Sequence, residues 1–280
     1  MNKWVFINDG FIKEDEAALK FTDLAIMRGY GIFDFLKVNH GIPVYLDDHL
    51  DRFYNSASKM HLDVPLFKDE LKEIIFLMIS KNQQTHCGIR ITLTGGYSAD
   101  GYHPAQPNLI LSTHSFHLPM AEEISKGIKL ISWPFQRQLP EVKTIDYLMA
   151  IWLQPLLKEK KADDVIYHNN ECLTECPRAN FFMVKDRKVI TPAGNILKGI
   201  TRKKILEVSK QQFKVEERDI HISELQTADE IFICSTTKMI LPVRQVNDIV
   251  LPAERPVSIE LLQRISQIQP ASGLSVSPVS

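Results

Sequence analysis

Three short stretches carry residue types that can do chemistry together. The first, LPEVKTIDYL at 139–148, has Lys143 at its centre. A lysine whose pKa is depressed by burial or by a neighbouring cation attacks carbonyls and forms a Schiff base. Most lysines are solvated surface residues. Lys143, however, follows Pro140 and precedes a helix expected to open over 144–146, so it is held at a junction between elements and can project into a cleft. The second stretch, LTECPRANFF at 173–182, offers Glu175 after a turn and ahead of a strand. An ordinary loop acid would do nothing there, but a buried carboxylate beside a nitrogen base keeps that base protonated. The third stretch is ILKGITR at 196–202, in which Gly199-Ile200-Thr201-Arg202 opens a helix. Free N–H groups, the positive end of the helix dipole and a threonine hydroxyl make a phosphate site. Ser235-Thr236-Thr237, behind a short apolar strand, can add hydroxyls. Gly-x-Thr helix starts are common, so each signal gains weight only from the others.

The elements that must position these residues follow from periodicity. Residues 4–7 (WVFI) and the turn Asn8-Asp9-Gly10 read as a strand entering a second strand. FDFLKV at 33–38, the turn Asn39-His40-Gly41 and residues 42–46 read as a hairpin. From Asp47 the period changes: His49, Leu50, Phe53, Ala57 and Met60 fall at helical spacing behind two acidic residues. Residues 68–81 form a second amphipathic helix. Residues 87–93 and 108–112 are strands separated by the Gly- and Pro-rich loop TGGYSADGYHPAQP, long enough to be functional. A composition shift at 114–125 marks a domain boundary. Beyond it come a strand at 128–133, a long helix at 145–161 with an acidic-to-basic gradient, strands at 164–168, 181–184 and 189–191, a helix at 202–212 and a short buried strand at 231–234. The tail 269–280 is rich in Ser, Pro and Gly and is expected to fray.

Strands and helices mix without a strict βαβ repeat, and no GxGxxG or Walker loop occurs, so the common dinucleotide and P-loop classes are excluded. An α+β architecture fits, with a small N-terminal domain over 1–118 and a larger C-terminal mixed-sheet domain over 119–280. The net charge of −1 argues against nucleic-acid binding, which needs a basic surface. The N-terminus MNKWVFINDGFIKEDE has no apolar h-region and no apolar run is long enough to span a bilayer, so a cytoplasmic protein is expected. Cys87, Cys172, Cys176 and Cys234 are scattered without zinc spacing, and no metal site is expected.

GIFDFLKV, HLDRFYNSA, VKTIDYL, LTECPRANFF, ILKGITR and STTKMILPV, in this order and spacing, closely resemble the class IV (fold-type IV) pyridoxal-phosphate aminotransferases, over about 23–248. That group includes D-amino-acid aminotransferases, branched-chain aminotransferases and aminodeoxychorismate lyases. The resemblance implies a cofactor, pyridoxal 5′-phosphate, carried by Lys143, which also shuttles the proton between the substrate Cα and the cofactor. It implies that Arg52 pairs with the phosphate and that the Ile200 N–H, Thr201 and Thr236 complete the cup. Glu175 would meet the pyridine nitrogen, Leu197 would pack on the ring face opposite Lys143, and Tyr147 would bond the phenolic oxygen. It further implies a homodimer whose active sites borrow residues from the partner's N-terminal domain.

The substrate side departs from the well-known subgroups. The familiar D-amino-acid enzymes hold the substrate carboxylate with an arginine in the long loop and a tyrosine on the early strand. Here the loop TGGYSADGYHP has no arginine, and the strand position is Phe33, which cannot donate a hydrogen bond. Asp34 replaces the usual glutamate. Two arginines stand where small or apolar residues are usual, Arg28 in IMRGYGIF and Arg178 three residues after Glu175. Arg28 (from the partner chain) and Arg178 are expected to bind substrate carboxylates, with Phe33, Lys37 and Thr237 lining the same pocket. Two guanidiniums would favour dicarboxylates such as 2-oxoglutarate as acceptor. A D-amino-acid-type aminotransferase is the leading reading, ahead of a branched-chain L-amino-acid aminotransferase, then a lyase on the same cofactor, and last a non-catalytic binding protein that keeps the fold.

Overall fold

The computed structural model describes residues 3–268, and the structural statements that follow concern those residues; the tail expected to fray, 269–280, lies outside them. They divide into two compact units, residues 3–116 with 266–268, and residues 117–265.

The N-terminal unit is an antiparallel sheet with helices. Its elements are β1 (Trp4–Ile7), β2 (Gly10–Lys13), α1 (Leu24–Arg28), β3 (Gly31–Asn39), β4 (Ile42–Pro43), α2 (Leu46–Lys59), α3 (Lys68–Asn82), β5 (Cys87–Thr94) and β6 (Leu109–His114). The strand order is β2-β1-β6-β5-β3-β4, every pairing antiparallel. Alternation along β3 separates two faces. Ile32, Asp34, Leu36 and Val38 are buried on the face that receives α2, whose Leu50, Phe53 and Ala57 are buried with them. Phe33, Phe35 and Lys37 point the other way. The strand expected over 42–46 stops at Pro43, which has no N–H for a ladder, and Tyr45 turns into α2 with φ of 55°.

The C-terminal unit contains α4 (Ala121–Lys126), β7 (Ile128–Pro134), α5 (Leu148–Trp152), α6 (Gln154–Lys160), β8 (Asp164–Asn169), β9 (Cys172–Leu173), β10 (Glu175–Cys176), β11 (Ala179–Lys185), β12 (Lys188–Thr191), α7 (Ile200–Ser209), β13 (Val215–Glu217), a 3₁₀ turn (Ile222–Thr227), β14 (Glu230–Ser235), β15 (Met239–Val246), β16 (Ile249–Val250) and α8 (Pro256–Ile268). The strand path is β13-β12-β11-β14-β15-β7-β8-β9, with β10 on β11 and β16 on β15. Pairings β12/β13, β15/β7 and β7/β8 are parallel and the rest antiparallel, giving the mixed sheet expected. One face packs a core around Leu130, Ile166, Phe181, Ile231, Ile233 and Val243. The other packs Phe182, Val184, Phe232 and Ile240 against α7 and α8.

Two expected helices change. The single helix expected over 145–161 forms as α5 and α6, with Leu153 serving as the C-cap of one and the N-cap of the other. Pro155 causes the break, since it has no N–H to give to the carbonyl one turn back. The helix also opens later than expected, at Leu148, whose N–H is taken by Asp146 Oδ1 at 3.0 Å. Lys143 therefore stands in irregular chain ahead of α5 rather than at its first turn. The helix expected over 202–212 starts at Ile200, where Gly199 is its N-cap, and ends at Ser209.

Candidate active site

Glu175 is buried on β10, directly across from Asn180 on β11. Its Oε1 accepts from Arg137 Nε and Nη2, both at 2.8 Å. Its Oε2 accepts the Leu197 N–H at 3.0 Å. Burial pushes the Glu175 carboxyl above the usual carboxylate range, opposed by the charge of Arg137, the Leu197 N–H and the charge of Lys143. The carboxylate of Glu175 thus lies within the field of Lys143. Desolvation wins because one arginine does not repay the loss of water from a fully enclosed carboxylate.

Leu197 is pinned on both sides, since its carbonyl accepts from Asn180 Nδ2 at 2.7 Å. Asn180 also explains Gly199: a Cβ at residue 199 would sit 2.2 Å from Asn180 Oδ1. Glycine is required here for this close approach, its φ of −66° being ordinary. Gly199 has no side chain with which to cap α7, so the N–H groups of Ile200 and Thr201 are open to an anion on the helix axis. Arg202, in the same ILKGITR stretch, turns away and is buried, giving Nη2 to the Pro192 carbonyl and to Glu217, each at 2.9 Å. Thr236 and Thr237 form the half-buried turn between β14 and β15. Arg178 lies exposed on the turn that joins β10 to β11.

Arg137 was not legible as a functional residue. It lies in the irregular chain after β7 and, besides Glu175, donates Nη2 to the Pro140 carbonyl and Nη1 to the Val142 carbonyl at 3.3 Å. Val142 is the residue before Lys143. Tyr147 caps α5 and shares a small cleft with Phe135, Arg137, Thr144, Tyr167 and Pro177. The signal that points to Arg137 is indirect: a buried carboxylate requires a cation or several donors, and sequence spacing does not say which arginine supplies them.

The remaining candidates belong to the N-terminal unit. Arg52, on α2, gives Nε and Nη2 to the two oxygens of Asp34, both at 2.8 Å, a bidentate pair. His49 Nδ1 lies 2.7 Å from Asp34 Oδ1. Asp34 thus faces α2, which is why an acidic residue is tolerated at this point of the strand. Phe33 and Lys37 are buried on the opposite face of β3, and burial lowers Lys37 to about 8. Arg90 on β5, a second residue missed from the sequence, stacks its guanidinium 3.9 Å from the Phe33 ring centre and gives Nε to Thr92 Oγ1 at 3.2 Å. Its signal was available: in CGIRITL, Ile89, Ile91 and Leu93 form one face of the strand and Arg90 and Thr92 the other. Arg28 ends α1, exposed, with Nη1 on the Met27 carbonyl at 3.1 Å.

Within the C-terminal unit, then, a buried glutamate lies in the field of Lys143 and is bonded through Leu197 to the stretch that ends at Gly199, the N-cap of α7. The family model for amino-transferase class IV matches residues 31–246, and the chain belongs to that family. It is accordingly a pyridoxal-phosphate-dependent transaminase. Among characterised relatives, it is 28% identical over 251 residues to a D-alanine aminotransferase of Staphylococcus epidermidis, covering 87% of this chain and 89% of that one. It is 26% identical over 287 residues to a putative branched-chain-amino-acid aminotransferase of Methanocaldococcus jannaschii, covering 97% and 98%. The fold matches that of the branched-chain amino acid aminotransferase of Escherichia coli with a TM-score of 0.89, at 24% identity, over 96% of this chain and 95% of that one.

Proposed function

We propose that this transaminase moves the amino group of a D-amino acid to a 2-keto acid such as 2-oxoglutarate, in two half-reactions that share pyridoxal 5′-phosphate. The cofactor supplies an electron sink that stabilises negative charge at the substrate Cα. Lys143 would hold it and would serve as the base that moves the proton between the substrate Cα and the cofactor. Glu175 would meet the ring nitrogen, Leu197 would support the ring, and Tyr147 would bond the phenolic oxygen. The Ile200 N–H, Thr201 and Thr236 would bind the phosphate. The observation that carries this reading is the set of contacts around Glu175: a buried carboxylate in the field of Lys143, tied by Leu197 and Asn180 to the open end of α7.

On the substrate side, Arg178 and Arg28 (from the partner of a homodimer) bind carboxylates, with Phe33, Lys37 and Thr237 around them. Within the N-terminal unit, Arg90 presents a further guanidinium, stacked on Phe33. Such a cationic pocket favours dicarboxylates, and an acceptor of that kind is the expected co-substrate. The similarity to a D-alanine aminotransferase supports the D-configuration. Among the described residues no helix is long and apolar enough to cross a membrane; a cytoplasmic location is proposed from the sequence alone.

The test is a panel of D- and L-amino acids with 2-oxoglutarate. D-alanine or D-glutamate should be turned over in preference to L-leucine. A preference for L-leucine would replace this reading with the branched-chain one. Lys143→Ala should abolish turnover and the absorbance band of the bound cofactor near the visible edge. Arg178→Ala should raise KM for 2-oxoglutarate many-fold, and an unchanged KM would remove Arg178 from the pocket.

A further inference from the structure

The segment between β7 and α5 carries Lys143 in irregular chain, with a single bridge residue at Thr144. Leu139 sits in the left-handed region, with φ of 46°, and the Val142 N–H closes a turn on the Leu139 carbonyl at 2.8 Å. The carbonyls of Pro140 and Val142 both accept from one group, the guanidinium of Arg137. The same guanidinium holds Glu175 through Nε and Nη2. Its three nitrogens therefore join the peptide that carries Lys143 to the carboxylate on β10.

We propose that Arg137 is a positioning residue of this active site: its guanidinium sets the distance between the Lys143 peptide and Glu175 and is the permanent positive partner of that carboxylate. This rests on the reading of Lys143 and Glu175 given above. The two tasks have separate physical causes. Positioning uses the planar fork, which reaches two carbonyls and a carboxylate in fixed directions; an ammonium at the same place keeps the charge without that geometry. The electrostatic task needs a cation that persists. Lys143 also favours the ionised form of Glu175, but Lys143 must shed its charge to act as a base, so its field comes and goes through the reaction. An arginine does not deprotonate. Because burial works against the charge on Glu175, removing Arg137 moves the shared proton from the cofactor ring nitrogen towards Glu175.

The experiment compares the wild-type holoenzyme with Arg137→Lys, Arg137→Met, Glu175→Gln and the double variant Arg137→Met/Glu175→Gln. The readouts are the absorbance spectrum of bound pyridoxal phosphate against pH, cofactor affinity by fluorescence titration of the apoprotein, thermal unfolding of the apoprotein, and kcat with KM. Arg137→Met should shift the spectrum towards that of Glu175→Gln and weaken cofactor affinity about 10-fold or more, the effect of roughly 1.4 kcal/mol. In the Glu175→Gln background it should add no further spectral shift. Arg137→Lys should keep the wild-type spectrum but lower kcat about 100-fold with little change in KM, as for a reacting group displaced by about 1 Å. A wild-type spectrum and affinity in Arg137→Met would overturn the electrostatic task, and wild-type kcat in Arg137→Lys would overturn the positioning task. Should Arg137→Met not fold, Arg137→Lys and Arg137→Gln decide by the same spectra. A wild-type protein that takes up no pyridoxal phosphate would overturn the functional reading itself, and this proposal with it.

Discussion

Each unit buries a carboxyl group against an arginine, and the two are shifted in opposite directions. Asp34 in the N-terminal unit accepts two bonds from Arg52, one contact from His49 and the N–H of Phe35 at 2.8 Å. Burial alone would raise its pKa, but Arg52 and His49 outweigh burial and hold the carboxyl far below the usual range. Glu175 in the C-terminal unit has Arg137, the Leu197 N–H and a long 3.5 Å contact from Asn180. Arg137 divides itself between Glu175 and two backbone carbonyls, and burial prevails. The contrast separates a carboxyl that its partners hold ionised from one that burial shifts towards its protonated form. A group perturbed in the second way is the kind found where chemistry is done.

The contrast yields graded tests. The largest effect is expected for Asp34→Ala, which leaves buried His49 and half-buried Arg52 without that partner and should cost about 3–5 kcal/mol in chemical unfolding. A loss of about 1 kcal/mol or less would mean that Arg52 finds water or another partner, and the network would no longer count as a lock. Glu175→Gln should cost less stability, about 1 kcal/mol, because an amide oxygen still accepts the Leu197 N–H. Its main consequence should be loss of transamination. Equal destabilisation by the two substitutions would erase the distinction between the sites.

The pH dependence has opposite signs at the two sites. The stability contributed by Asp34 is present above the ordinary carboxylate pKa of about 3.9 and is lost as pH falls through it towards the lower folded value. The difference between wild type and Asp34→Asn should therefore grow as pH rises from about 2 to about 5. Glu175 binds its proton more tightly folded than unfolded. Its favourable contribution is present below the unfolded pKa of about 4.3 and is lost as pH rises above it. Thermal melts of wild type and Glu175→Gln should draw apart in that direction, and parallel curves would contradict it. The smallest expected effect is at Lys37, lowered by burial to about 8 from 10.5. The folded state holds its proton less tightly, so wild-type stability should rise between those two pH values, and Lys37→Met should be more stable at pH 7 and flat across the window.

Much of the site could be read before any coordinates. Gly199 marked the start of α7, and the runs at 33–38 and 87–93 marked β3 and β5 as strands, because local propensity follows backbone geometry. The helix entrance at Lys143 was misplaced because helical periodicity continues through LMAIWLQPLL, while the capping by Asp146 and the break before Pro155 act on single backbone groups. Asp34 read as a substitution at a substrate position; in the fold it faces α2 and Arg52, which alternation along the strand could have indicated had the facing helix been known.

The sequence by itself determined the family: six stretches in fixed order and spacing carry the resemblance, and the family model matches residues 31–246. It also determined most elements, through periods of two and of 3.6. Only the tertiary structure decided which charges meet. Arg52 with Asp34, Arg137 with Glu175 and Arg90 with Phe33 are contacts between separate elements. Whether a buried carboxylate stays charged depends on how many donors reach it once water has been removed, and that count is a property of the packed fold.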